Sequence, residues 1–358
     1  MSKFYQLKVI AIKKETEDSV SISFDVPYEF HEIFSYKPGQ YLTLKFTLHG
    51  EELRRSYSLC SSPVVEGPLR IGVKRVKDGV VSNHINNNIK IGDLIDVMPP
   101  DGRFFADIKR DNYKTYYLFA AGSGITPILS ILRTVLLTEE RSYVYMIYGN
   151  RTENSILFKK ELDELQKKYG DRFILEYTLS RPNRNWSDLW KSSKEQSFRK
   201  GRIDTEAVKW FINEFPLYAQ NAEYYICGPG TMIENTKKTL QNMDVPDNRI
   251  FIESFGSTKT EDTLEGIDNA KLTAHLNNER IEVLIPNGKT ILRTLIDAGV
   301  APPYSCEGGV CSTCLCKLIK GKVHMKNNLA LNDDEIKQGY ILSCQSIPLS
   351  DIIDIVYS

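Results

Sequence analysis

From Phe4 to about Val97, apolar and polar residues alternate in short runs: YQLKVIAI, SVSISFDV, QYLTLKF, RSYSLCS, LRIGVKRV and DLIDVM. A period of two turns one face of each run inward, so each reads as a strand. Turn formers punctuate the runs at Lys37-Pro38-Gly39 and Asp78-Gly79, and short strands so spaced predict an antiparallel β-barrel. One helix, VVSNHINNNI, is predicted after Gly79. From Tyr113 the pattern changes. YYLFAAG is a continuous apolar run ending in Gly122-Ser123-Gly124, and ITPILSILRTVLL then carries helical spacing, with Pro127 in the first turn. VYMIYGN, a helix near ILFKKELDELQKK, FILEYTLS, a helix through EAVKWFINEF, YYICGPG, a further helix and IFIESF follow. Strands alternating with helices predict a doubly wound parallel sheet with ligands at the strands' carboxyl ends.

The run GSTKTEDTLEGIDN is polar, acidic and short of large apolar residues, which reads as a flexible linker. Beyond it KLTAHLNN, RIEVLIP, a helix at TILRTLIDAG, CLCKLIKGKVHM and DIIDIVYS predict a small mixed sheet. The expected division is a barrel over 1–108, an α/β domain over 109–255, a linker over 256–270 and a last domain over 271–358.

At 358 residues the chain has room for two or three domains. Lysine plus arginine equals aspartate plus glutamate, 46 each, so no bulk charge argues for nucleic acid or an anionic membrane. The first residues lack an apolar h-region, and no run approaches the ~18 apolar residues of a membrane span. A reducing cytoplasm is expected, and it suits cysteines that must stay thiolates.

Four of those cysteines carry the strongest chemical signal. Cys306, Cys311 and Cys314 follow the spacing C-x4-C-x2-C, and Cys344 returns after twenty-nine further residues. That is the plant-type arrangement for a [2Fe–2S] cluster. Three ligands on one tight loop wrap the cluster, and a distant segment closes the cage. Gly308 and Gly309 are expected to take positive φ and aim loop N–H groups at the sulfurs. A structural zinc site would more often use two C-x2-C pairs, and only one exists here. Seven cysteines without an export signal disfavour disulfides. Cys60 reads as a buried core thiol, and Cys316, alternating with Cys314, as packing that faces away from the cluster.

Weaker motifs surround this one. Arg55-Ser56-Tyr57-Ser58 offers a phosphate-gripping guanidinium and a flat ring with a polar tip. Alternation puts Arg55 and Tyr57 on one face and Ser58 on the other, unless the strand ends there; an ordinary cross-strand pair would read the same. A second stretch, Val73-Lys74-Arg75-Val76 then Gly79-Val80-Val81-Ser82-Asn83, puts Ser82 near a helix start whose free N–H groups suit a pyrophosphate. Gly122-Ser123-Gly124-Ile125-Thr126-Pro127 opens a helix after a strand, as a dinucleotide-binding turn does. Tyr148-Gly149-Asn150-Arg151, Ser180-Arg181 and Cys227-Gly228-Pro229-Gly230 end later strands. Ser180 and Arg181, with Arg184 nearby, suit a 2′-phosphate, where an acidic residue would favour NAD; an ordinary surface arginine is the alternative.

In these residues the chain resembles the ferredoxin–NADP reductase superfamily, in the subgroup with a C-terminal plant-type ferredoxin domain. It is similar there to the reductase components of phenylacetyl-CoA epoxidases. RSYSL, GSGITP, YGNR, CGPG, PYSCEGGVCSTC and ALNDDEIKQGYILSCQS carry the resemblance over essentially the whole length. It implies a flavin-binding antiparallel barrel, an NADP-binding α/β domain and a β-grasp ferredoxin domain. It implies that Arg55 contacts the flavin phosphate, Tyr57 packs along the flavin and Ser58 lies near its reactive nitrogen. Ser82 would meet the pyrophosphate, with Val73, Lys74, Val76 and Val81 beside it. Thr126 and Cys227 would flank the nicotinamide, and Phe255 the isoalloxazine ring, unless it is a plain core aromatic. FAD is implied before FMN, and NADPH before NADH.

Residues 271–358 carry nine acidic and nine basic side chains, whereas free ferredoxins of the resembled family are strongly acidic. A tethered domain needs no electrostatic steering, because the linker supplies effective concentration. The expected path takes a hydride from NADPH to the flavin and single electrons through the cluster. The acceptor would be an oxygenase component. A Rieske or di-iron hydroxylase or a hybrid-cluster protein are alternatives, and a zinc-loaded binding module is the alternative outside enzymes.

Overall fold

The computed structural model describes residues 3–182, 198–219, 221–255, 264 and 266–357. Arg184 and most of the 256–265 stretch therefore lie outside the described residues.

The first domain is a six-stranded antiparallel barrel. Strands β1 (Tyr5–Thr16), β2 (Ser19–Asp25), β3 (Tyr41–Leu48), β4 (Glu51–Ser58), β5 (Leu69–Lys74) and β6 (Leu94–Val97) pair in the order β4-β3-β6-β1-β2-β5. A bridge from Leu59 to Ile71 joins the end strands and closes the ring. The alternation works as written: Leu7, Val9, Ile22, Phe24, Leu42, Leu44, Ile71 and Val97 are fully buried inside. The helix after Gly79 spans Val80–Asn87 and sits beside β5.

In the second domain β7 (Thr115–Ala121), β8 (Tyr143–Asn150), β9 (Phe173–Leu179), β10 (Arg199–Lys200), β11 (Ala222–Gly228) and β12 (Ile250–Ser254) are all parallel, in the order β10-β9-β8-β7-β11-β12. Both faces are covered. Helix 125–138 packs on one, and helices 205–214 and 230–241 on the other, so β7 and β8 are apolar throughout rather than alternating. The order reverses between β7 and β11, which opens a crevice at their carboxyl ends.

Hydroxyls and an ion network bind these two domains. Ser130 donates to the Ser61 carbonyl at 2.6 Å, Ser62 and Thr134 share a hydrogen bond of 2.7 Å, and Glu161 bridges Arg70 and Arg133. Partly buried and doubly paired, Glu161 is worth more than a lone surface bridge.

The third domain is a five-stranded mixed sheet. Its strands β13 (Ala270–Leu276), β14 (Glu279–Ile285), β15 (Leu315–Lys320), β17 (Tyr340–Leu342) and β19 (Ile352–Val356) run β14-β13-β19-β15-β17; β16 (Val323–Met325) and β18 (Ser346–Pro348) form a separate pair. Thr290 caps the helix Ile291–Asp297, which buries Leu292 and Leu295. The end of the expected linker is already pinned here: Ile267 donates to the Pro348 carbonyl at 2.9 Å, and Asp268 accepts from the Asn287 amide at 2.8 Å. Among the described residues, no helix is long and apolar enough to cross a membrane.

Candidate electron-transfer site

Two adjoining cavities occupy the meeting point of the three domains. The larger, about 380 Å³, is lined by Arg55, Tyr57, Ser58, Lys74, Val76, Val81 and Ser82 from the barrel, with Ser123, Thr126 and Phe255 from the α/β domain. Strand β4 ends at Ser58, and Arg55, Tyr57 and Ser58 all line one cavity despite the alternation. Gly72 is required on the wall, because a Cβ there would lie 2.7 Å from the Thr126 methyl. Helix 80–87 enters with Gly79 at its N-cap and no side-chain cap, leaving its first N–H groups for a ligand. Two cations, an uncapped helix start and an aromatic wall fit a flavin nucleotide. Val73 differs from expectation. Its side chain is wholly buried in the barrel core, because Gly72 and Lys74, its neighbours in alternation, take the cavity side.

The dinucleotide crevice is built by close backbone approach. Gly122 has φ +56° and begins the turn into helix 125–138. A Cβ on Gly124 would lie 2.2 Å from the Cys227 carbonyl oxygen, so only glycine lets the two turns touch. Thr126, almost wholly buried, donates to the Ser123 carbonyl at 3.0 Å, and Pro127 is buried in the same first turn. Cys227 is fully buried, which pushes its thiol well up; Gly228 and Pro229 follow it across the crevice. Asn150 and Ser180 stand at the ends of β8 and β9, where the Ser180 amide donates to the Asn150 carbonyl at 3.0 Å. The Arg181 amide donates to the Arg151 carbonyl at 2.8 Å, bringing these two arginines side by side at the same sheet edge.

The smaller cavity, about 210 Å³, shares Arg55, Ser56, Ser58 and Phe255 with the larger and reaches Cys306 and Cys311. The sulfurs come in two pairs. Cys306 and Cys311 have Sγ atoms 3.1 Å apart, and Cys314 and Cys344 are within hydrogen-bonding reach of each other. Among the described residues no three His, Cys, Asp or Glu side chains converge on a single ion. Two thiolates for each of two irons is the donor set of a [2Fe–2S] cluster, and sulfurs gathered as two pairs match it. The loop amides serve the sulfurs: the Gly308 N–H points at Cys306 Sγ at 3.4 Å. Gly309 takes φ +74°, and a Cβ there would strike the Asn327 carbonyl. The other positive φ belongs to Glu307, not Gly308. Asn327 Nδ2 and Gln345 Nε2 hold that strained turn through the Gly308 and Glu307 carbonyls, at 2.6 and 2.8 Å. Cys316 packs into the sheet core away from the cluster ligands, and burial pushes the Cys60 thiol up to about 12, as an inert core group.

Glu253 is the site residue that motif reading misses. It pairs in register with Cys227 and accepts a hydrogen bond of 3.2 Å from Ser58 Oγ. Part of its surface faces the smaller cavity, yet it sits deep enough that desolvation pushes its carboxyl up to about 8. The available signal was a lone carboxylate inside the apolar strand IFIESF.

The architecture defines a three-domain oxidoreductase. Residues 6–105 match the Oxidoreductase FAD-binding domain family, 118–238 the Oxidoreductase NAD-binding domain family, and 274–349 the 2Fe-2S iron-sulfur cluster binding domain family. The chain is 37% identical to a subunit of the 1,2-phenylacetyl-CoA epoxidase of Escherichia coli K12, over 99% of this chain and 98% of that one. It is 32% identical to the ferredoxin reductase component of 3-ketosteroid-9-alpha-monooxygenase of Rhodococcus rhodochrous, over 98% and 96%. Among solved structures, phthalate dioxygenase reductase superposes with a TM-score of 0.63 at 26% identity, covering 99% of this chain and 98% of that one. The chain belongs to the family of oxygenase reductases that join FAD-binding, NAD-binding and 2Fe-2S domains in that order.

Proposed function

We propose that this protein is an NADPH-dependent reductase that passes electrons through FAD and a [2Fe–2S] cluster to an oxygenase component, in phenylacetyl-CoA epoxidation. One observation carries the path: the flavin-side cavity and the cluster-side cavity share Arg55, Ser56, Ser58 and Phe255. When bound, the nicotinamide supplies a hydride, FAD takes both electrons and gives them up singly, and the cluster carries one at a time. The protein's own part is to bind and orient. Arg55, Lys74 and the N–H groups around Ser82 would hold the flavin phosphates, with Val76 and Val81 alongside, and Tyr57 and Phe255 would offer aromatic surface to the ring. Gly122, Ser123, Gly124, Pro127, Gly228 and Pro229 shape the dinucleotide crevice. Ser58, Thr126 and Cys227 line the point of hydride transfer, and Glu253, bonded to Ser58, holds a proton at its Oε beside them. Cys306, Cys311, Cys314 and Cys344 ligate the cluster. The domain limits proposed are 1–108, 109–255 and 271–358, with a linker between the last two, and the compartment proposed is the cytoplasm.

NADPH is preferred because Asn150, Arg151, Ser180 and Arg181 gather at one sheet edge without an acidic residue among them. The epoxidase pathway is supported by the near full-length relative of 37% identity; the ketosteroid monooxygenase reductase at 32% is the reason to keep another oxygenase as the second reading. Affinity purification of the tagged chain from its own cells tests the acceptor. Recovery of epoxidase subunits supports the first reading, and recovery of another oxygenase supports the second.

A further inference from the structure

One face of the β3–β4 hairpin serves two domains. The register pairs Tyr41 with Ser58, Thr43 with Ser56 and Lys45 with Arg54, so these alternate residues share a face. Ser58 at one end of that face lines the flavin cavity, and the rest receives the ferredoxin domain just before its first ligand. Ser305, buried, has its Oγ 2.6 Å from Ser56 Oγ and 2.7 Å from Thr43 Oγ1. Tyr304 lies under Arg54, whose guanidinium carbon is 3.9 Å from the ring centroid and whose Nη1 donates to the Tyr304 carbonyl at 3.3 Å. Glu52 holds Arg54 from behind, accepting from Nε and Nη2 at 2.9 and 2.7 Å, and the Phe4 ring flanks it at 5.0 Å. The Tyr304 hydroxyl donates to the same Glu52 oxygen at 3.4 Å, closing the ring of contacts. Beyond Cys311 the loop is held again: Tyr41 OH lies 3.1 Å from Thr313 Oγ1, and both donate to Asp101.

We propose that Arg54, Thr43 and Ser56 with Tyr304 and Ser305 form a docking latch that positions the Cys306–Cys311 edge of the cluster against the flavin cavity. The proposal rests on the electron path given above. A tether alone raises effective concentration but fixes no orientation. The hydroxyls of Thr43, Ser56 and Ser305 and a stacked planar cation satisfy one another only in a single docking register. These are positioning residues: Ser56 borders both cavities, whereas Arg54 and Thr43, the residues altered below, line neither.

The test uses the full-length holoprotein carrying Arg54→Ala with Thr43→Val, and the near-isosteric Thr43→Val alone as a milder version. Each is mixed anaerobically with NADPH while flavin and cluster absorbance are followed, and amide exchange of residues 303–313 is measured in parallel. The latch predicts wild-type flavin reduction and unchanged cluster content. It also predicts cluster reduction slowed roughly tenfold or more, as small misplacements do, with faster exchange in the loop. Cluster reduction at the wild-type rate, or unchanged exchange in the loop, overturns it. A wild-type protein whose loaded cluster is not reduced by NADPH overturns the electron path itself, and that control is run first.

Discussion

Ser58 Oγ donates to Glu253 Oε2 at 3.2 Å across 195 residues of chain, joining the last residue of a barrel strand to an edge strand of the parallel sheet. The bond seats a carboxyl where flavin cavity, nicotinamide crevice and cluster loop meet. Burial raises that carboxyl to about 8, so the folded protein keeps a proton there that the unfolded chain releases near pH 4.5. Between those values the native state binds more protons, and stability falls as pH rises. Glu253→Gln is expected to flatten that fall in thermal unfolding between about pH 5 and 8. It should also remove a limb near pH 8 from the rate of flavin reduction by NADPH. An unchanged pH profile for both would reject the assignment.

Cys344, the proposed fourth ligand, lies 30 residues beyond Cys314. Cys344→Ser should abolish cluster loading, read as loss of the iron and of the charge-transfer bands, while flavin reduction by NADPH persists. Normal iron content in that variant would refute the ligand assignment.

Arg181 stands beside Arg151 through the backbone bond of 2.8 Å. A charge-assisted hydrogen bond to a 2′-phosphate is worth about 1.5–3 kcal/mol, or about 10–100-fold in binding. Arg181→Ala should raise the KM for NADPH by that factor and leave the KM for NADH nearly unchanged. Equal effects on both cofactors would assign the residue to the shared pyrophosphate instead.

Gly124 packs against the Cys227 carbonyl with no room for a Cβ. Because the obstacle is backbone, Gly124→Ala should force the two turns apart, cost about 1–3 kcal/mol in stability and weaken both nicotinamide cofactors. Thermal unfolding of the protein without nucleotide, alongside binding titrations, separates the two effects.

Local chemistry was legible in the chain, and distant contacts were not. The four proposed ligand cysteines are marked by spacing on one loop plus one return, so they could be named before any fold. Arg55, Ser58, Ser82 and the Gly122–Gly124 turn likewise sit at strand or helix ends that periodicity marks. Val73 could be misjudged because strand parity, which buries it, depends on which neighbour faces the cavity. Glu307 rather than Gly308 takes positive φ, because Gln345 and Asn327 anchor the turn from 38 and 19 residues away. Glu253 and the Ser56–Ser305 contact carry no periodic signal, since each gains its meaning from a partner about 200 residues distant or more.

Electrons are proposed to run from NADPH through the flavin to the cluster within one chain. Anaerobic titration of the loaded protein with NADPH, followed by visible absorbance and by the paramagnetic signal of the reduced cluster, tests it most directly. Uptake of about three electrons per chain is expected, two at the flavin and one at the cluster, with the flavin bleaching first. A flavin that is fully reduced beside a cluster that stays oxidised would contradict it.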